Sequence, residues 1–269
     1  MGRRIAGVEH RAPTGTRGKW CRSWGVLLFV LAAELLSGCV ATRQIRVQAD
    51  EHYRLAQSYL GHASYRLAEQ EIRKALELLP REARYFELLA LIYQAQGRLH
   101  LAAAAYRMAL QQAHVPPSVL VNYSTVMLLQ ERPDEAIALA QRALRDPGYS
   151  KPALAHTNIG LAYLQKGALY QAVEHLRTAL EYQPDLPEAH HNLGLVYKRL
   201  GQYGKAIRAF RQAIRLRPAY IEAYVSLGEV LLENGQREEA RHAFERVIAL
   251  APESEIATSV RKQLRSLTP

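Results

Sequence analysis

The residues able to carry covalent or metal chemistry are few. Cys21 and Cys39 are the two thiols of the 269-residue chain. They form no Cys-x-x-Cys pair, so neither a zinc site nor a dithiol redox motif is encoded. His156 and His190 stand 34 residues apart, with His191 beside the second. A metal reading needs such imidazoles to close to ligand distance across that interval; replacing an aromatic packing residue is the simpler role. Glu238-Glu239 opens a helical stretch, where carboxylates suit the positive end of the helix dipole and do not form an acid/base pair in a pocket. No phosphate loop, G-x-G-x-x-G, G-x-S-x-G or H-E-x-x-H occurs. These absences point away from an enzyme. They predict no cofactor, no metal and no small-molecule substrate.

Cys39 has a different use. Arg17, Lys19 and Arg22 precede an apolar run from Val26 to Ala33, and Leu36-Ser37-Gly38-Cys39 follows. A basic region, a short apolar stretch and small residues before a cut site are the parts of a secretory signal peptide, and the stretch is too short for an ordinary transmembrane helix. Leu-Ser-Gly-Cys resembles the lipobox of bacterial lipoproteins. That resemblance implies cleavage before Cys39, diacylation of its thiol and usually acylation of the new amino group; two or three acyl chains hold a protein stably on a bilayer. Val40 in place of Asp after the cysteine leans toward the outer membrane, so the expected location is its periplasmic face. Residues 1–38 are expected to be the signal peptide and 39–48 a lipidated tether.

The chain is basic, with a net charge of +10, but residues 1–38 hold six of its 35 Lys/Arg and two of its 25 Asp/Glu. The remaining excess is spread over helix faces, which reads as a solvated surface and predicts no nucleic-acid partner.

What positions these residues is a 34-residue repeat. From Pro187 run Leu193-Gly194, Tyr197, Gly201, Ala206, Phe210, Ala213 and Pro218. One period later come Leu227-Gly228, Leu231, Gly235, Ala240, Phe244, Val247 and Pro252; one period earlier, Ile159-Gly160, Tyr163, Gly167, Ala172, Leu176, Ala179 and Pro184. Three further copies put repeat starts near 49, 83, 117, 153, 187 and 221, with two extra residues around Asp146-Pro147-Gly148-Tyr149 breaking the phase once. The pattern resembles the tetratricopeptide repeat. It predicts an all-α, right-handed α-solenoid of six helical hairpins (A then B in each) over residues 49–254, plus a capping helix in 255–269. No hairpin can bury its apolar face alone, so stability must come from stacking. The small residue after Leu or Ile lets helix A approach helix B, and Gly97, Gly167, Gly201 and Gly235 permit the left-handed turn between them.

In the tetratricopeptide family the second, fifth, sixth, ninth, twelfth and thirteenth places of helix A line a concave groove that binds a partner. Carried onto this chain, the candidate groove comprises Tyr53, Leu60, Leu91, Val121, Asn122, Thr125, Leu128, Thr157, Asn158, Leu161, Leu164, His191, Asn192, Leu195, Lys198, Val225 and Leu232. Its middle is apolar, and Asn122, Asn158 and Asn192 form a ladder able to bond a peptide backbone, since an amide both donates and accepts. Only Lys198 and Arg199 fit a clamp for a C-terminal carboxylate. The expected ligand is an extended or helical apolar segment, not an acidic tail.

The combination of lipobox and six repeats is similar to the type IV pilus biogenesis and stability lipoproteins, the pilotins of the pilus secretin. Asn122-Tyr123, the Asp146-to-Tyr149 linker and Asn158-Ile159-Gly160 match features of that family. The resemblance implies a protein client, a secretin subunit, carried to the outer membrane by the lipid on Cys39. Other envelope clients fit the same architecture: proteases, peptidoglycan hydrolases or polysaccharide-export subunits.

Overall fold

A computed structural model describes residues 42–265. Among these the regular structure is helical and no strand occurs. The first helix, α1, covers residues 42–61. It is followed by α2 (Tyr65–Leu78), α3 (Ala83–Ala95), α4 (Leu99–Leu110), α5 (Pro117–Leu129), α6 (Pro133–Leu144) and α7 (Pro152–Gln165). Then come α8 (Leu169–Tyr182), α9 (Pro187–Arg199), α10 (Tyr203–Leu216), α11 (Ile221–Glu233), α12 (Arg237–Leu250) and α13 (Glu255–Arg265). Odd-numbered helices from α1 to α11 are helix A of each hairpin, and even-numbered ones are helix B. Cys39 and the expected signal peptide lie outside the described residues. The expected tether is helical from residue 42 onward, because Ala49 and Ala56 bury one face of an α1 that starts well before the first repeat.

From α2 to α13 each helix packs on its sequence neighbours, and α3, α5, α7, α9 and α11 also touch one another in turn. The A helices therefore form one wall of a solenoid whose core is a continuous seam, as expected when hairpins bury their apolar faces on one another. Proline at the first turn starts α5, α6, α7 and α9, where its missing N–H is no loss.

The hairpins close by exchanging volume across one contact. At the eighth place of the repeat stand Ala56, Ala90, Ser124, Gly160, Gly194 and Gly228; at the twenty-fourth stand Ile72, Tyr106, Ala140, Leu176, Phe210 and Phe244, all fully buried. Where helix A has no side chain, helix B supplies a large one: a Cβ on Gly194 would lie 2.6 Å from the Phe210 ring, and one on Gly228 2.4 Å from Phe244. The turn between A and B has the left-handed backbone predicted, with φ from 69° to 78° at the four glycines. The same place in repeats 1 and 3 holds Ala63 (φ 55°) and Glu131 (φ 57°), side chains in a conformation that favours glycine. At the open end α13 lays Ala257 and Val260 on repeat 6.

Candidate partner-binding wall

The wall formed by the A helices is held together by a recurrent rung. The fifth place of one repeat meets the sixth place of the next. Asn122 Nδ2 donates to Glu87 Oε1 (2.9 Å), Asn158 Nδ2 donates to the Val121 carbonyl (3.1 Å), and His191 Nε2 lies 3.1 Å from Ser226 Oγ. Asn158 also reaches Ser124 Oγ (2.7 Å) and Thr125 Oγ1 (2.9 Å). A second row joins the thirteenth place to the preceding repeat's twelfth: Gln165 Nε2 donates to the Leu128 carbonyl and Arg199 Nη1 to the Leu164 carbonyl, each at 3.0 Å.

These rungs correct part of the sequence reading. Val121, Leu128, Thr157, Leu164 and His191 are buried against neighbouring helices and present no face to a ligand. Leu128 joins the core of repeats 1–4 and Leu164 that of repeats 4–6, while Thr157 returns its hydroxyl to the Ala153 carbonyl. The amide nitrogens of Asn122 and Asn158 are committed to neighbouring helices, so the asparagine ladder fastens repeat to repeat. The signal lay in the sequence, as polar residues at the fifth and sixth places of successive repeats, but it spans two periods and is invisible within one. Tyr53, Leu60, Leu91, Thr125, Leu161, Asn192, Leu195, Lys198, Val225 and Leu232 keep partial exposure. Two residues at groove places were passed over: Leu129 and Leu154, 53% and 37% exposed.

The wall changes chemistry along its length. At its start, Asp50 accepts from Tyr85 Oη (2.7 Å) and Arg84 Nη2 (2.5 Å). Burial, the Asp50 bond and nearby acids raise the Tyr85 phenol's pKa despite Arg84. Burial raises the Glu87 carboxyl, although bonds from Ser118 and Asn122 pull the other way. In the middle, α5 and α7 contain no Asp, Glu, Lys or Arg at all. At the far end, Lys198 Nζ bridges Glu229 (2.8 Å) and Glu233 (3.1 Å). Burial works against that ammonium's charge, but the two carboxylates outweigh it and hold its pKa above the usual lysine value. With Lys198 paired and Arg199 on a carbonyl, neither suggested clamp residue is free for a carboxylate. Burial lowers the His191 pKa despite nearby Glu222 and Glu188.

His156 and His190, by contrast, sit at the fourth place, away from the rungs. His156 meets His175 on its own hairpin partner α8, and His190 Nε2 lies 2.9 Å from the Pro184 carbonyl. Among the described residues no three His, Cys, Asp or Glu side chains gather as metal ligands. No described helix is long and apolar enough to cross a membrane.

Comparison with known proteins agrees with this architecture. Family models described as tetratricopeptide or TPR repeats match residues 53–114, 160–201 and 197–264. The type IV pilus assembly protein PilF of Pseudomonas aeruginosa is 31% identical over 170 residues, covering 60% of this chain and 67% of the relative. The crystal structure of PilW, a widely conserved type IV pilus biogenesis factor, superposes with a TM-score of 0.70 at 25% identity, over 79% of this chain and 98% of that one. The solved structure of P. aeruginosa PilF gives 0.65 at 22% identity over 83% and 99%, a likeness of fold. The chain thus belongs to the tetratricopeptide-repeat proteins homologous to PilF and PilW, the type IV pilus biogenesis factors.

Proposed function

We propose that this protein is a non-catalytic, lipid-tethered scaffold of type IV pilus biogenesis. It grips an apolar segment of the outer-membrane secretin subunit on the A-helix wall. The observation that carries the reading is the charge-free stretch of α5 and α7, with Leu129 and Leu154 exposed at its edges and Leu161 between them. Exposed leucines on a wall without ions to desolvate favour an apolar ligand over a charged one.

Under this reading Cys39 carries the acyl chains, cleavage removes residues 1–38, and the protein sits on the periplasmic face of the outer membrane. The lipid raises the local concentration of the client at the bilayer, which is where secretin subunits must assemble. Binding and tethering are the whole mechanism; no bond is made or broken in the client.

The test is recovery of the client from envelope extracts with the wild-type protein and with Leu129→Glu/Leu154→Glu. The wild type should recover the secretin subunit. The variant should bind it at least about tenfold more weakly, since two exposed leucines together are worth more than ~1.4 kcal/mol when buried. Its circular dichroism should be unchanged, because both positions face solvent. Undiminished binding by the folded variant sinks the wall model, and recovery of a peptidoglycan hydrolase, protease or export subunit in place of the secretin reassigns the client. Cys39→Ser should yield a folded protein absent from membrane fractions.

A further inference from the structure

The fourth place of helix A and the twenty-third of helix B meet in repeats 1 and 4, and the six repeats fill this pair of places differently. Repeat 3 uses Leu120 and Leu139; the others include Phe86 with Ala105, His190 with Ala209 and Tyr224 with Ala243. Two repeats place ionisable groups in direct contact. In repeat 1, His52 Nδ1 lies 2.6 Å from Glu71 Oε2, whose other oxygen accepts from Lys74 at 2.7 Å. In repeat 4, His156 Nδ1 lies 3.1 Å from His175 Nδ1.

The His156–His175 contact is specific in its geometry. The ring centres are 5.3 Å apart, so the two nitrogens lie close to the line that joins them. The imidazoles meet edge to edge, nitrogen facing nitrogen, which is an N–H···N bond. One ring donates from a protonated Nδ1 and the other accepts on a bare one. Tyr182 and Tyr163 flank the pair, with centroids 5.8 Å from His156 and 5.5 Å from His175.

We infer that the α7–α8 hairpin is an acid-sensitive joint and the α1–α2 hairpin its acid-tolerant counterpart. The reason is proton counting. The His52–Glu71 contact sets an imidazole against a carboxylate, so an added proton would meet neither a facing N–H group nor a like charge there. The His156–His175 bond survives a first added proton, which can go to the donor ring's Nε2. A second must go to the bare Nδ1, where it turns a bond into two facing N–H groups and two like charges.

The surroundings do little to relieve this. For His156, burial and then the His175 charge disfavour protonation. For His175, burial disfavours it and the neighbouring Glu174 carboxylate on α8 only partly offsets that. No ionised group of α6 or α9 acts on either ring. Both folded pKa values lie below the value near 6.5 of an unfolded histidine. Between the two the unfolded chain binds more protons, so the pair's contribution is complete above about pH 6.5 and is lost as the pH falls toward the folded values.

The test is hydrogen exchange of the full chain, followed by mass spectrometry at about pH 7.5 and about pH 5.5 and corrected for intrinsic rates. The opening constant over α7–α8 should rise at the lower pH, by up to about tenfold per pH unit for each proton held off. That over α1–α2 should not rise, since a proton on His52 would face a carboxylate. Equal responses in the two hairpins overturn the inference. His156→Leu/His175→Leu copies the Leu120–Leu139 pair of repeat 3 and should abolish the acid response of α7–α8. His175→Glu copies repeat 1 and should abolish it as well; it remains decisive if the leucine pair compromises folding. A response that persists in either folded variant is fatal. Readout stays within α7–α8, since buried His191 carries its own acid response into α9 and α11.

Discussion

Repeats 3 and 5 share one backbone and differ at almost every place that backbone makes critical. Where helix A crosses helix B, repeat 3 sets Ser124 over Ala140, and repeat 5 sets Gly194 over Phe210. At the turn between the helices repeat 3 has Glu131 and repeat 5 has Gly201, with φ of 57° and 69°. On the wall, α5 carries no ion, whereas α9 carries Glu188, Lys198 and Arg199. The lesson is that the template constrains a small helix-A residue at the crossing and a left-handed turn, not residue identity, which leaves the wall's chemistry free to vary along the solenoid.

The largest effect should come from breaking the volume exchange. Gly194→Ala drives a methyl to 2.6 Å from a buried ring that has no flexible end to yield. It should cost about 1–3 kcal/mol in chemical denaturation. Ser124→Ala, opposite the small Ala140, should cost less, through the lost hydroxyl bonds to the Val121 carbonyl and Asn158. Equal costs would mean that the two hairpins do not trade volume as described.

The turn comes next. Glu131→Gly should stabilise the protein by about 1 kcal/mol, since it removes a left-handed side chain, and Gly201→Ala should destabilise it by a similar amount. A thermal melt of each resolves the opposite signs. Smallest is the ion pairing of the far end. Glu229 and Glu233 are 40% and 42% exposed, so Lys198→Met should cost less than about 1 kcal/mol, and less still in high salt. The same salt should leave client binding at the charge-free α5–α7 stretch unchanged, as an equilibrium titration would register.

How much of this was legible in the sequence follows from how far each interaction reaches along the chain. The helices and their A–B turns repeat within 34 residues, and the small residue after Leu193 or Leu227 announces the close crossing. The glycine rule, read from four copies, did not reveal that Ala63 and Glu131 take the same backbone, because neither residue favours it. The wall was read less well. Its fifth and sixth places look exposed within a single hairpin, and only a neighbouring repeat buries Val121, Thr157 and His191 or claims the amide of Asn158. Leu129 and Leu154 stand at the thirteenth and second places, so the groove frame reached them, but a leucine near a helix end resembles core until the neighbouring helix proves not to cover it. The His156–His175 contact links positions 19 residues apart, one on each helix of a hairpin, and neither residue type alone suggested it.

The short α13 has a consequence for solubility. Every internal hairpin offers a trailing surface that receives the next hairpin's leading surface, and on repeat 6 α13 occupies that surface with Ala257 and Val260. Among the described residues nothing covers the leading surface of repeat 1 in the same way: Leu55 is 46% exposed, while its counterparts in the other repeats are at most 8% exposed. A molecule shorn of α13 would own two complementary sticky ends. Such head-to-tail contacts do not close into a ring by necessity, so they grow into threads. Eleven residues laid over the last repeat would thus serve as a chain stopper for a modular stack.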